Sequence, residues 1–149
     1  MLIILTASIY HILGLNIFFI ESKNNIVLRA TVTSKEFSDT YDIWLPDEAY
    51  KVDYYQETDG PQTSDLYARI MFRSNLSSLN LTNVFKEMSY HHVDYVKTEM
   101  NVDLIPGGVP ESWWNTTIIG KCDYYESNIG YEDMRFWVDM ENGIVFMHE

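Results

Sequence analysis

Between Ile26 and His148, apolar residues keep returning at every second position. A period of two sends successive side chains to opposite faces of an extended chain, so this part of the sequence is committed to half-buried strands. Ile26, Leu28, Ala30 and Val32 alternate with Arg29, Thr31 and Thr33. Residues 34–40, SKEFSDT, read as a turn, after which Tyr41, Ile43 and Leu45 alternate until Pro46, which cannot donate to a ladder. Tyr50, Val52 and Tyr54 then oppose Lys51, Asp53 and Tyr55, and a turn-rich TDGPQTS leads to a return strand with Leu66, Ala68, Ile70 and Phe72 inside.

The period changes once. Leu81, Val84, Phe85 and Met88 stand at i, i+3, i+4 and i+7, which is one face of a short helix that Asn80 or Ser78 caps. A short strand follows in residues 93–100. Residues 101–115 are irregular, because Pro106-Gly107-Gly108 and Pro110 bar regular structure, and they end in Trp113-Trp114. Long connections of this kind are often functional; the simpler role is that one Trp plugs a core edge. Residues 116–125 resume alternation, with Ile118, Cys122 and Tyr124 against Ile119, Lys121 and Tyr125.

Asn142-Gly143 is the preferred pair for a two-residue hairpin turn, since both central positions need φ > 0. That turn pairs Met140 with Val145 and Asp139 with Phe146. One face of the hairpin, Phe136, Val138, Met140, Val145 and Met147, is wholly apolar and belongs to the core. The other carries Trp137, Asp139, Glu141, Ile144, Phe146 and His148. Aromatics rimmed with charge are the composition of binding surfaces, so this face, with Trp113 and Trp114 added from the loop, is the candidate binding site. The competing expectation is that a neighbouring layer covers it. The fold class expected is α+β: a mostly antiparallel sheet in meander order with one main packed helix, preceded by an N-terminal apolar, transmembrane helix.

That N-terminal segment, Met1 to Ile20, carries no Asp, Glu, Lys or Arg. Twenty helical residues reach about 30 Å, the thickness of a bilayer's hydrocarbon core. Tyr10, His11 and Asn16 dilute the run, no basic residue precedes it and no small-residue cleavage pattern follows it, which favours an uncleaved anchor over a cleaved signal peptide or a buried element. The organisation expected is an anchor or signal segment at 1–22, a polar hinge at 21–25 and a single small acidic domain at 23–149. Lys23, Arg29 and Lys35 argue by the positive-inside rule for a cytoplasmic domain, whereas a short anchor bearing a binding domain argues for export. The expectation here is a single-pass membrane protein with its C-terminal domain extracytoplasmic.

The formal charge of −12 lies wholly outside the apolar segment. It opposes nucleic-acid binding, where cations do the work, and suits a basic protein partner. Cys122 is the one cysteine, so no internal disulfide forms. Three Asn-x-Ser/Thr sequons, at Asn75, Asn80 and Asn115, matter only on a eukaryotic secretory route.

Catalytic constellations are weak. His91-His92 with Asp94 is the best metal cluster, but adjacent strand residues face apart, so neither metal nor cofactor is expected. Cys122 lacks a base on its own face, and no nucleophile elbow, phosphate loop or dinucleotide fingerprint occurs. The function expected is therefore a membrane-tethered, non-enzymatic protein-binding domain, immunity- or inhibitor-like. The alternatives are a small hydrolase-type enzyme with an acidic pocket around His91, His92 and His148, and a structural subunit of an envelope complex.

Overall fold

A computed structural model describes residues 20–22, 25–59, 64–129 and 134–149. The strands are β1 (Ile20–Ser22), β2 (Asn25–Val32), β3 (Ala49–Asp59), β4 (Ser64–Phe72), β5 (Tyr95–Thr98), β6 (Asp123–Ser127), β7 (Arg135–Asp139) and β8 (Ile144–His148). The helices are α1 (Ser34–Tyr41), α2 (Leu81–Met88) and a single turn, α3 (Thr116–Ile119). All the strands join one sheet in the order β1-β2-β3-β4-β8-β7-β6-β5, with every neighbouring pair antiparallel.

The antiparallel sheet and the sheet-rich class match the expectation from alternation. The order corrects it, because one continuous meander would place β5 beside β4. Instead the chain makes two meanders, and the second runs back so that β8 pairs with β4 from Tyr67↔His148 to Met71↔Ile144. Ala68↔Met147 and Ile70↔Val145 in that seam are fully buried, so the junction is as apolar as either half.

Two helices, rather than one, cover the first face. The segment 34–40 read as a turn is α1. Thr33 is its N-cap: its hydroxyl oxygen accepts from the Glu36 N–H, while the Glu36 carboxylate accepts from the Thr33 N–H at 2.8 Å. This capping box satisfies donors that a helix start leaves orphaned. Phe37 and Tyr41, one turn apart, then lie against Tyr54 at 5.9 and 5.3 Å between ring centroids. Asp42 ends the helix in the left-handed region at φ 56°. Ile43 and Leu45 are buried and Trp44 is exposed, as their alternation requires, but residues 42–46 join no ladder.

The second helix, α2, is capped by Asn80, and its Phe85 stacks on Phe136 at 4.2 Å. This face forms the larger core, around Val52, Ile70, Phe85, Phe136, Val145 and Met147.

Among the described residues, the second face is covered by an irregular connection rather than by a long helix. The connection from β5 to β6 crosses it, bringing Ile105, Trp114 and Ile119 down onto Tyr67, Trp137 and Phe146. Residues 101–115 are irregular apart from a 3₁₀ turn at Val102–Leu104, as their prolines dictate. Residues 116–119 are α3 rather than the start of a strand. The Asn115 side chain accepts from Thr117 N–H and Ile118 N–H, which turns the backbone helical, so Ile119 is buried while Ile118 is 49% exposed.

The terminal hairpin is also corrected. Asp139 pairs with Ile144 and Val138 with Val145, which leaves a four-residue loop, Met140 to Gly143, in which only Gly143 has positive φ, at 67°. The register differs from the expected one by two residues. A slip of one would have exchanged the faces, but a slip of two preserves them. The set Phe136, Val138, Val145 and Met147 is accordingly in the first core.

The anchor expected at residues 1–22 lies, up to residue 19, outside the described residues. Ile20–Ser22 pair with β2, so the stretch read as a hinge at 21–25 carries strand at both ends. No helix among the described residues is long and apolar enough to cross a membrane.

Candidate recognition cleft

The hairpin face read as a binding surface divides between a core and two surface sites. Trp137 (0% exposed), Phe146 and Trp114 are buried in the second core, with Ile144 half-buried against them. They form no exposed patch. The physical reason is the β5–β6 connection, which is the neighbouring layer that covers this face. Trp114 is the plug: its indole N–H donates to the Pro106 carbonyl at 3.0 Å and its ring meets Tyr67 edge-on at 5.2 Å.

Asp139 is chiefly a turn residue. Its carboxylate accepts from the Asn142 backbone N–H at 3.0 Å and the Asn142 side-chain amide at 2.8 Å. With exposed Glu141 it borders a cleft of about 470 Å³ that Ile118, Lys121, Cys122 and Asp123 also line. Burial first, and then Asp139 and Asp123, push the Cys122 thiol up to about 11. It is therefore protonated at neutral pH, and it donates to the Ile118 carbonyl at 3.5 Å. This cysteine is a small core residue and not an activated nucleophile.

His148 lies at the far end of β8, stacked on Tyr67 at 4.7 Å with its Nε2 3.8 Å from Asp65. His91 and His92 are exposed in the turn after α2, with His92 Nδ1 3.3 Å from the Lys86 carbonyl. His148 thus lies on the side of the sheet that the β5–β6 connection covers and His91 and His92 on the side of the helices, so these histidines are not brought together. Among the described residues no group of three or more His, Cys, Asp or Glu side chains is placed to hold a metal ion.

Trp113 stands apart from its neighbour. It is half-buried at the rim of a cleft of about 330 Å³ lined also by Arg29, Thr31, Asp53 and Glu111. Strand register builds this site, because Thr31 pairs with Asp53 and Asp53 with Arg69 across β2, β3 and β4. Asp53 is 5% exposed, yet its carboxylate accepts from the Thr31 hydroxyl and from Arg69, whose Nε lies at 3.0 Å and whose Nη2 is also bonded. Lys51 Nζ is 4.0 Å away. The Arg69 guanidinium lies 5.9 Å from the Trp113 ring centroid. One register step along, Arg29 Nε is 3.0 Å from Glu111 Oε1, and its guanidinium lies 5.5 Å from the Tyr55 ring.

The desolvation of a buried ion pair can exceed its attraction, so such a pair is poorly explained as a stability device. Here it fixes an arginine under a tryptophan at the lip of an opening. Sequence reasoning found Trp113 but missed Arg29, Asp53, Arg69 and Glu111. Their one trace is charge at the outward positions of consecutive strands, and it needs the cross-strand register to become a cluster. No known family model matches this sequence, and neither a characterised protein nor a solved structure matches it.

Proposed function

We propose that this chain is a non-enzymatic protein-binding domain, tethered to a membrane through the apolar residues ahead of β1, with its recognition surface centred on Trp113. The observation that carries this reading is the stack of Trp113 on Arg69, held by buried Asp53, beside the Arg29–Glu111 pair. Trp and Arg are the residue types that most often dominate binding energy, and they act best when already held in place. The charge of −12 supports a basic partner that the field of the surface draws in, as an immunity or inhibitor protein would require.

The test places a photo-crosslinking residue at Trp113 in the full chain, with exposed Val96 on β5 as the control position. A protein captured at 113 and not at 96 is expected. Trp113→Ala should then weaken that complex by about 2 kcal/mol. Capture of the same proteins at both positions, or affinity unchanged in Trp113→Ala, would overturn the reading. Carbonate extraction with protease protection of the C-terminal domain tests the tether and its extracytoplasmic side.

A further inference from the structure

We infer that residues 101–115 are a strap that lifts as a unit from an intact sheet, latched by Arg29–Glu111 and by Trp113 on Arg69. Among the described residues, the backbone hydrogen bonds of residues 101–114 are internal: Leu104 N–H to Asn101, Ile105 N–H to Val102, and Trp114 N–H to Glu111. Asn115, at the strap's end, bonds onward to α3, its carbonyl accepting from the Ile118 and Ile119 N–H groups, and not to the sheet. The Trp114 indole also bonds within the strap, to Pro106. The ladders β3–β4, β4–β8 and β7–β8 are complete without it. Lifting the strap therefore breaks no strand pairing.

Its hold on the sheet is made by side chains. Ile105 and Trp114 are buried, while the Arg29 and Glu111 side chains that clip its end are 34% and 21% exposed. Pro106 and Pro110 have no N–H to commit, and Gly108, at φ 84°, sets the bend that lets the Trp114 indole bond back to Pro106, so the strap is held together by itself. The other face of the sheet keeps its own core under α1 and α2 when the strap leaves. Segments with few anchors and no shared ladder open below the global unfolding limit. What opens is an aromatic floor of Tyr67, Trp137 and Phe146, which Trp114 meets edge-on. Because the latch residues are also the cleft residues, a molecule bound at the cleft would set the strap's position. The opening itself does not depend on such a partner.

The experiment uses the full chain carrying Cys122→Ser, without a partner, so its outcome is separate from that of the crosslinking above. A cysteine at Ile105→Cys reports the strap and one at Ile70→Cys reports the sheet. Each is labelled with a neutral thiol reagent under native conditions across low urea. The expected result is labelling at 105 on the order of tenfold or more faster than at 70, with a shallower urea dependence. Glu111→Gln should raise the rate at 105 several-fold and leave that at 70 unchanged. Equal rates and slopes at the two positions would overturn the strap, and so would a Glu111→Gln change that is absent or shared by both. Phe146→Cys, on the floor that the strap covers, and Val145→Cys, on the other face, serve as replacements for 105 and 70 if either first choice fails to fold.

Discussion

Trp114 stands edge-on to Trp137, with ring centroids 5.8 Å apart and planes at 88°. Through this contact an irregular connection covers the second face of the sheet as a packed layer would. Trp114→Ala should cost about 3–5 kcal/mol, because the cavity would open directly over the buried indole of Trp137. Trp113→Ala, which removes a half-buried ring from Arg69, should cost about 1 kcal/mol. Urea denaturation of the two variants checks the asymmetry. Equal losses would mean that the two indoles share the core rather than dividing core from cleft.

The terminal loop separates two substitutions that a two-residue turn would make equivalent. Only Gly143 sits at positive φ, and a Cβ there would stand 3.4 Å from the Phe72 carbonyl oxygen. Gly143→Val should therefore destabilise by about 1–2 kcal/mol or more. Asn142→Ala gives up an exposed side-chain bond to Asp139 and should cost only about 0.5 kcal/mol. A comparison of melting temperatures decides it, and matching losses would restore the tighter turn.

Alternation was enough to assign faces. Leu66, Ala68, Ile70 and Phe72 are buried together, as are Phe136, Val138, Val145 and Met147, even though the register of that last hairpin lies two residues from the one its Asn-Gly pair predicts. Faces survive such an error because side-chain direction is local, whereas pairing is not. The same distinction explains the misses. The return of β8 to β4 is a long-range choice that no local pattern encodes. The Asp53–Arg69 pair depends on that kind of register, so it was invisible along the chain. The helix α1 was legible, since Thr33 and Glu36 spell a capping box and Phe37 and Tyr41 stand one turn apart. The polar remainder of SKEFSDT hid it. At residues 118–119 two adjacent isoleucines offered either choice of face, and the Asn115 cap, not hydrophobicity, decided between them.

That cap is one of a set. Asn75, Asn80 and Asn115, the three sequon asparagines, each accept a backbone N–H at the start of a helical turn. At Asn80 the following Thr82 hydroxyl donates to the same oxygen at 2.8 Å. A capping asparagine with a hydroxyl residue two positions on accounts for the motif without a glycan. Asn80→Ala should lower stability by about 1 kcal/mol, and Asn80→Asp should recover most of it, because aspartate caps equally well. If Asn80→Asp is as unstable as Asn80→Ala in denaturant, the cap is not what the residue supplies.

The second core also makes the protein sensitive to alkali. Burial is the largest cause of upward shifts in Cys122, to about 11, and in Tyr55, Tyr67 and Tyr124, to about 12. All of these side chains lie on the face that the strap covers. A raised folded pKa means that the native state favours the protonated form. Below the ordinary values of 9.0 for the thiol and 10.0 for the phenols, both states are protonated and stability is whole. As pH climbs past those values the unfolded chain releases its protons first, so stability falls until the folded groups titrate too. The loss should run from about pH 9 to about pH 12, and the thiol's share should reach at most about 3 kcal/mol. Urea midpoints measured across that window should drop steadily, and Cys122→Ala should flatten the part below about pH 10, where the phenols are still protonated in both states. A midpoint that held constant from pH 9 to pH 10 in the unsubstituted chain would show that the thiol is already open to solvent in the native state.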